Sequence, residues 1–373
     1  MKKVLILANN SVGLYNFRKE LIEKLIEESY DVHFSLPESK EDQKVQLLMK
    51  MGAKHHQTEI DRRGMNPFKD IQLILHYISL IKKVKPDIIL TYTIKPNIYG
   101  TCVASMFNIP VIMNVTGIGT ALTKSRFKNL FAKLYKMACT KASVVFFQNE
   151  HNLDLFVNNN LVSVGKTRLI PGSGVNVHKF YPVAKEKASD KPIKFLFIGR
   201  LMEEKGITEY INAAIHITSK YDNVEFQILG PFEELKVKQK IEGINHTRIK
   251  YLGVSNDVRI EISSVDCVVN PSYHEGMSNV LLEAAAMGKP LIASNIPGCK
   301  EIIEDKKNGF LFEVKSVDSL IDKIEHFLRL DSHHRQEMGC YSRKKVEQEF
   351  DRNKIVDTYL SEINYHLNRG GLQ

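Results

Sequence analysis

The sequence contains no long hydrophobic run. Of its 373 residues, 43% are apolar and 25% are charged, and no apolar stretch approaches the ~18 residues that a membrane-spanning helix requires. The start MKKVLILANN runs directly into strand-like sequence without the cleavage pattern of a signal peptide. These absences argue against a membrane-spanning or secreted protein, and a cytoplasmic location is expected.

Cysteine is scarce, and metal-binding patterns are missing. The five cysteines are odd in number, widely spaced and free of any C-x-x-C pair, which argues against a disulfide framework and a zinc ribbon. They are expected to be ordinary small buried residues: Cys102, Cys139, Cys267, Cys299 and Cys340. No Asp-x-Asp motif and no cluster of His and Asp occurs, so no metal site is predicted.

Positive charge is confined to one half of the chain. Residues 1–182 hold 25 Lys and Arg against 14 Asp and Glu, a net charge of +11, whereas residues 183–373 hold 27 against 29, a net charge of −2. Such a field suggests that the first half meets an anionic surface or ligand, namely phosphate, nucleic acid or acidic lipid. A merely soluble basic domain is the alternative.

Short apolar runs alternate with segments of helical periodicity along the whole chain, which is typical of an α/β fold with parallel sheets. A polar segment bracketed by Pro182 and Pro192 interrupts the alternation and predicts a linker. We therefore predict two tandem, doubly wound, Rossmann-like domains, 1–182 and 183–373, with a ligand-binding cleft between them. The last helix, about 351–367, is expected to pack back on the first domain. The predicted strands are 3–8, 32–36, 87–90, 111–113, 144–147, 194–199, 224–229, 249–252, 267–270, 290–293 and 309–312.

The first strand-to-helix loop argues against a dehydrogenase. A dinucleotide site needs three glycines in the pattern G-x-G-x-x-G, but residues 9–16 carry only Gly13. Gly13 either lets a substrate approach the backbone or serves only as a turn residue.

The first loop of the second domain carries two cations. Arg200 and Lys205 follow a predicted strand and precede a helix whose free N–H groups also favour anions. A diphosphate would fit this place. The alternative is two solvated charges on an exposed turn.

A second loop in that domain, residues 271–278, leads from a strand into the helix 280–287. Gly276 permits a tight turn, and Ser278 or Asn279 can cap the helix. Because helical side chains tilt toward the N-terminus, Glu283 can lean toward the loop that holds Glu275, and a carboxylate there can accept hydrogen bonds from a ribose diol.

Together these motifs resemble glycosyltransferase family 4, the retaining enzymes with the GT-B fold. The resemblance rests on Gly199-Arg200-Leu201 with Lys205-Gly206, on Glu275-Gly276-Met277-Ser278-Asn279 with Glu283, and on Pro297-Gly298 with Asn308-Gly309-Phe310. It covers essentially the whole chain. Three further segments resemble the bacterial branch that builds capsule, O-antigen or glycan repeat units on undecaprenyl diphosphate: 95–100, 116–119 and 170–175.

The resemblance implies roles for individual residues. Arg200 and Lys205 would hold the diphosphate of a UDP-sugar and Glu283 its ribose, without a metal or other cofactor. The transferred sugar would be a hexose or N-acetylhexosamine. Contacts to the donor would also come from Glu275, Gly199 and the backbone of Gly276, Met277, Ser278 and Asn279. The chain departs from the family at Thr116, where many members have His, and at Asn176, where an acid is frequent.

Retention of configuration leaves two mechanisms open. Glu275 could act as a covalent nucleophile. The resemblance favours a front-face displacement, in which the leaving diphosphate takes the acceptor proton and Glu275 has a positioning role.

The basic half is expected to bind the acceptor, a polyprenyl-diphosphate-linked saccharide. Helix 124–141 places Phe127, Leu130, Phe131 and Leu134 on one face among lysines, and it either binds an anionic membrane reversibly or packs on the sheet. Acceptor contacts are predicted for Gly13, Arg62, Arg63, Lys95, Thr116 and Gly117.

Two other classes of protein remain open. A nucleotide-sugar epimerase or hydrolase of similar shape would act on the donor without any acceptor. A basic nucleic-acid-binding protein would shift nucleic acid in a gel in a salt-dependent manner, although no recognition-helix or aromatic-rich strand motif occurs. No nucleic-acid partner is therefore predicted.

Overall fold

The computed structural model describes residues 1–61, 66–117, 128–183 and 191–369. The chain forms two compact units. The first contains Met1–Ser173 together with the chain from Arg352 onward, and the second is Gly174–Asp351. Residues 174–182 were predicted to belong to the first domain, whereas in the structure they belong to the second unit.

The first unit is built on a parallel sheet of seven strands in the order β3-β2-β1-β4-β5-β6-β7. The order reverses between β1 and β4, which makes the crevice outside their carboxyl ends the place where such sheets bind ligands. The strands are β1 Lys3–Leu7, β2 Asp31–Leu36, β3 Lys54–Gln57, β4 Ile88–Tyr92, β5 Val111–Val115, β6 Val144–Phe147 and β7 Thr167–Leu169.

Helices cover both faces of this sheet. On one face α1 and α2 pack with the C-terminal helix over the core of β1 and β2. On the other face lie α3, α4 and α5, with α4 in contact with both of its neighbours. The helices are α1 Ser11–Glu27, α2 Gln43–Lys50, α3 Pro67–Val84, α4 Thr101–Met106, α5 Lys128–Lys141 and α6 Glu150–Asn158, and a π-helical turn, Pro96–Gly100, precedes α4.

The second unit repeats the pattern with six parallel strands in the order β10-β9-β8-β11-β12-β13. Its reversal falls between β8 and β11. The strands are β8 Ile193–Ile198, β9 Val224–Leu229, β10 Ile249–Tyr251, β11 Cys267–Asn270, β12 Leu291–Ser294 and β13 Gly309–Phe312. The helices are α7 Ile207–Lys220, α8 Leu235–Glu242, α9 Arg259–Ser264, α10 Asn279–Ala286, α11 Val317–Arg329 and α12 Ser332–Glu349.

The last helix, α13 Arg352–Arg369, belongs to the first unit. Its buried Arg352 pairs with Glu20 of α1 at 2.9 Å and donates to the carbonyl of Asn16 at the same distance. Farther along the helix, Tyr359 is buried and hydrogen-bonds Asn114 of β5. These polar contacts, together with buried Ile355 and Ile363, hold the end of the chain on the first sheet.

The α/β class with two parallel sheets is confirmed. Strands β3 and β7 and helices α6, α11 and α12 were not predicted from the sequence. The expectation that all five cysteines are buried was wrong for Cys340, which is exposed, and Cys102 is only half-buried. Residues 124–127 of the predicted basic helix lie outside the described residues. In the described part, Phe131 and Leu134 of the predicted apolar face pack against the core beside buried Tyr135, Ala138 and Cys139. Leu130, predicted on the same face, is 52% exposed.

Candidate active site

The two loops singled out in the second unit meet at the point where its strand order reverses. The first follows β8 and contains Gly199 to Gly206. The second follows β11 and contains residues 271–278. Because β8 and β11 are parallel neighbours, both loops lie at the same edge of the sheet, where doubly wound folds bind their ligands.

An ion pair joins the loops. Lys205, in a 3₁₀ turn Glu203–Lys205, donates from Nζ to Oε1 of Glu275 at 2.6 Å. Both side chains are mostly buried, with exposed fractions of 22% and 15%. In such surroundings the pair is held more firmly than an exposed one. The structure therefore brings together two residues that are 70 positions apart.

Close backbone packing makes this approach possible. Gly206 is the N-cap of α7 with φ +70°, and a Cβ atom there would lie 2.0 Å from the carbonyl oxygen of Pro271. Gly230 has φ +143°, and a Cβ on it would lie 1.8 Å from the carbonyl oxygen of Gly199. Both positions require glycine.

Arg200 is the more accessible cation of the site. Its side chain is 48% exposed and makes a loose ion pair, 3.7 Å from Nη1 to Oε2 of Glu233. Such a pair contributes little energy. An anionic ligand could replace Glu233 as the partner of Arg200 at small cost in free energy.

The second loop ends in a capped helix. Ser278 is the N-cap of α10: its Oγ accepts from the N–H of Leu281 and from the amide of buried Asn270. Its own N–H donates to the carbonyl of Gly298 at 2.9 Å. Ser278 therefore shapes the loop, and its N–H is already engaged within the protein.

The remaining predicted donor residues occupy the same segment. Gly276 and Asn279 flank the cap and are half-buried, while the side chain of Met277 is part of the core. Glu283 lies on α10 one turn after its start and is also half-buried. Gly298, with φ +87°, packs against the loop, since a Cβ on it would lie 2.8 Å from the carbonyl oxygen of Gly276.

The predicted acceptor residues belong to the first unit, and two follow the strands at its reversal point. Gly13 lies in the first turn of α1, where its N–H donates to Oδ1 of the capping Asn10 at 2.6 Å. Lys95 follows β4, and its ammonium group is held 2.6 Å from Oδ1 of Asp70 on α3. Tyr99 donates to the other oxygen of Asp70 at 2.7 Å.

The other predicted acceptor residues are less constrained. Thr116 and Gly117 directly follow β5 and are half-buried, and among the described residues no atom lies within 4 Å of the place that a Cβ on Gly117 would take. Arg62 and Arg63 lie outside the described residues. Asn176, in the second unit, accepts at Oδ1 from the N–H groups of His178 and Lys179, as in an Asx turn.

Sequence reasoning missed several residues that shape the donor loops, above all Tyr273 and Glu209. Tyr273 is buried, and its hydroxyl donates to Oε1 of Glu209 at 2.7 Å. Burial, together with the hydrogen bond to this carboxylate, raises the pKa of the Tyr273 phenol well above its usual range. Tyr273 lies only two residues before Glu275 in the sequence, and this proximity could have identified it as part of the loop. Nothing in the sequence indicated that its partner would be Glu209 on α7.

Cys299 lies beneath this site without a chemical role. It is fully buried, and burial raises the pKa of its thiol far above the usual value, which keeps it protonated and inert. Within the described ranges, no three His, Cys, Asp or Glu side chains are grouped so that they could hold a metal ion. None of the described helices is both long enough and apolar enough to span a bilayer.

Known proteins resemble both units. The Glycosyl transferase 4-like family model matches residues 3–149, and the Glycosyl transferases group 1 model matches residues 183–345. A Campylobacter jejuni N,N'-diacetylbacillosaminyl-diphospho-undecaprenol alpha-1,3-N-acetylgalactosaminyltransferase is 28% identical over 95% of this chain and 96% of its own. An Escherichia coli UDP-Gal:alpha-D-GlcNAc-diphosphoundecaprenol alpha-1,3-galactosyltransferase is 29% identical over 81% of this chain and 82% of its own.

Solved structures agree in fold. A glycosyltransferase from Rickettsia africae superimposes with a TM-score of 0.81 at 20% identity, covering 98% of each chain. The fold, the loops at the reversal point and the matched domains define this protein as a glycosyltransferase of GT-B architecture. The resemblance to glycosyltransferase family 4 that the motifs indicated is confirmed by these two family matches, one on each unit.

Proposed function

We propose that this enzyme transfers a hexose or N-acetylhexosamine from a UDP-sugar to a polyprenyl-diphosphate-linked saccharide, with retention of configuration, in bacterial surface polysaccharide or glycan biosynthesis. The Campylobacter and Escherichia relatives support the acceptor class, since both names specify an undecaprenol-diphosphate-linked sugar. The name of the second also specifies a UDP-linked donor. The observation that carries the proposal is the Lys205–Glu275 pair beside exposed Arg200 at the sheet edge.

The leaving group determines what the site must do. When the bond from the sugar C1 to the β-phosphate oxygen breaks, negative charge builds on the departing diphosphate. Lys205 and Arg200 would face that charge, and fixed cations stabilise it without reorganisation. We propose that these two side chains supply the stabilisation and that no metal ion is needed.

Glu275 is better suited to hold Lys205 than to attack the sugar. Its Oε1 accepts from the ammonium group at 2.6 Å, and a carboxylate engaged in an ion pair is a weaker nucleophile than a free one. In the front-face displacement, the acceptor oxygen bonds to C1 on the side from which the diphosphate leaves. The acceptor hydroxyl proton passes to an oxygen of the leaving diphosphate, so no protein base is required.

The acceptor would be bound by the first unit, at the carboxyl ends of β4 and β5. Lys95 keeps N–H donors beyond the one it gives to Asp70, and it could contact the acceptor diphosphate. Thr116 and Gly117 follow the neighbouring strand, and the saccharide would contact them there.

We propose that the same unit meets an anionic membrane through the layer formed by α3, α4 and α5, hereafter the basic helical layer. Its large exposed apolar side chains are Phe68, Ile71, Leu75, Met106, Leu130 and Met137. Its exposed lysines are Lys69, Lys82, Lys83, Lys133, Lys136 and Lys141, and Asp70 is the one acidic residue within the three helices. Apolar side chains among lysines favour reversible interfacial binding.

The activity is tested by incubating the protein with a panel of UDP-sugars and a synthetic polyprenyl-diphosphate sugar. We expect a lipid-linked product whose new linkage, read by NMR, has the anomeric configuration of the donor. Consumption of donor without acceptor would instead support the epimerase or hydrolase alternative, and an inverted linkage would refute retention.

The membrane contact is tested by co-sedimentation with vesicles. At low salt we expect binding to anionic but not to neutral vesicles, because each lysine near the surface contributes about 1 kcal/mol. Changing Lys128, Lys133 and Lys136 to Glu should abolish binding while transfer to a water-soluble, short-chain acceptor remains. Undiminished binding by this variant, and by a Phe68, Ile71 and Leu75 to Ser variant, would place any contact outside the layer.

A further inference from the structure

Tyr273 and Glu209 link the two donor loops through a buried hydrogen bond. Tyr273 lies two residues before Glu275, and Glu209 lies in the first turn of α7, four residues after Lys205. Each residue is 8% exposed, and their side chains meet at 2.7 Å. The bond thus joins the same two segments as the Lys205–Glu275 pair.

The backbone of Tyr273 adds a second connection. Its N–H donates to the carbonyl of Glu204 at 2.9 Å, directly beside Lys205. The loop after β11 is therefore fastened on both sides of the Lys205 turn, by the main chain at Glu204 and by the side chain at Glu209. Gly206 packs against Pro271 in the same region, so the two backbones are already in contact there.

The Tyr273 ring has little freedom to move. Lys315, in the loop after β13, places its ammonium group 4.7 Å from the ring centroid, an arrangement that favours a cation–π interaction. The second oxygen of Glu209, Oε2, is buried, and in the described part of the chain no hydrogen-bond donor reaches it. Loss of the Tyr273 hydroxyl would leave Glu209 without this hydrogen bond. That loss is costly, because a buried carboxylate is unfavourable when it is poorly paired.

We propose that Tyr273 and Glu209 are positioning residues that set the separation of Lys205 and Glu275, and thereby the place of the Lys205 ammonium at the donor diphosphate. The proposal rests on the donor site proposed above. Neither residue needs to touch the substrate. Its effect comes through Lys205, because fixed placement of a charge is what gives it catalytic value.

The test compares the kcat of single variants, assayed with the same donor and acceptor that the wild type uses. UDP affinity is measured in parallel by calorimetry. We expect Tyr273→Phe to lower kcat by about 10- to 100-fold, since displacement by about 1 Å has effects of that size. UDP affinity should fall only several-fold. Glu209→Ala should behave like Tyr273→Phe, and the double variant should be no worse than either single one, because both remove one hydrogen bond.

A conservative change separates positioning from charge. Glu209→Gln keeps an oxygen that can accept from the Tyr273 hydroxyl, and we expect its kcat to stay within about threefold of the wild type. The matched control is Tyr341→Phe, which removes another Tyr–Glu hydrogen bond in the same unit. This bond runs from Tyr341 to Glu304 at 2.5 Å, and Glu304 precedes the amino end of β13. The control variant should leave kcat unchanged even if it lowers the melting temperature as much as Tyr273→Phe does.

Three results would overturn the proposal: a folded Tyr273→Phe variant with unchanged kcat and UDP affinity, an equal loss of kcat in the Tyr341→Phe control, or additive losses in the double variant. Failure of the donor site itself is recognised separately. In that case Lys205→Ala would also retain full transfer, whereas an inactive Lys205→Ala variant beside a fully active Tyr273→Phe variant would refute the positioning pair alone.

Discussion

Lys205→Ala is the substitution that most directly probes the donor site. The change removes the ammonium group that we propose to lie at the donor diphosphate. It also leaves Glu275, only 15% exposed, without this cation, so a negative charge remains where more negative charge must develop. Loss of one preorganised donor typically costs about 2.7–4 kcal/mol in the transition state. We therefore expect transfer to fall at least ~100-fold, equivalent to about 2.7 kcal/mol.

The assay is the initial rate of sugar transfer at saturating donor, with circular dichroism and a melting curve to show that the variant is folded. Lys220→Ala is the matched control. Lys220 lies at the far end of α7, the helix that follows Lys205, and makes an ion pair of 2.7 Å with Glu325. This control variant should keep wild-type turnover. In the Lys205→Ala background, Glu275→Gln should recover part of the rate by removing the unbalanced charge. Wild-type turnover by folded Lys205→Ala would refute the assignment of this site.

The other predictions concern the ribose contact, metal dependence and pH. Glu283→Ala should chiefly raise the donor KM, because a ribose contact is made equally in ground and transition states; an unchanged donor KM removes Glu283 from the ribose. Transfer should survive excess EDTA, and complete loss restored by magnesium or manganese would contradict the proposed metal-free chemistry. Burial, with nearby positive charges, lowers the pKa of His56 to about 4, so the unfolded chain binds the proton more readily and stability should fall as pH drops from about 6.5 to 4. The loss should be about 1–2 kcal/mol for this half-buried group. His56→Gln should weaken the pH dependence of the melting temperature without removing it, because burial also lowers the pKa values of His33 and His55; an unchanged slope would exclude His56 as a source.

Much of the second unit could be predicted because its signals are local. The strands β8, β9 and β11 are short apolar or β-branched runs, and buried parallel strands have this composition regardless of their neighbours. The helix after the second loop begins at a capping serine, Ser278, which is also a local signal. Each of these features depends on a few consecutive residues, so a pattern in the sequence is enough to find it.

The elements that were missed depend on partners elsewhere in the chain. Strand β3, Lys54–Gln57, contains no apolar residue, and it is a strand because its backbone pairs with β2. Strand β7 has three residues, too few for any alternation to be recognised. In α5, side-chain spacing predicted an apolar face that includes Phe131, Leu134 and Leu130; packing on the sheet covers the first two, buries Tyr135 and Cys139 as well, and leaves Leu130 exposed.

The class of protein, the two sheets and the candidate residues of the donor site could be predicted from sequence, because strand composition, helix caps and motif residues are encoded within short segments. Which of those residues meet depends on the folded chain. Lys205 and Glu275 become partners because parallel pairing of β8 with β11 brings the two following loops to one edge. Gly206 lets the backbones approach, and Tyr273 finds Glu209 across the same junction. Contacts between residues tens of positions apart follow from strand order and close packing, and neither is written in the local pattern.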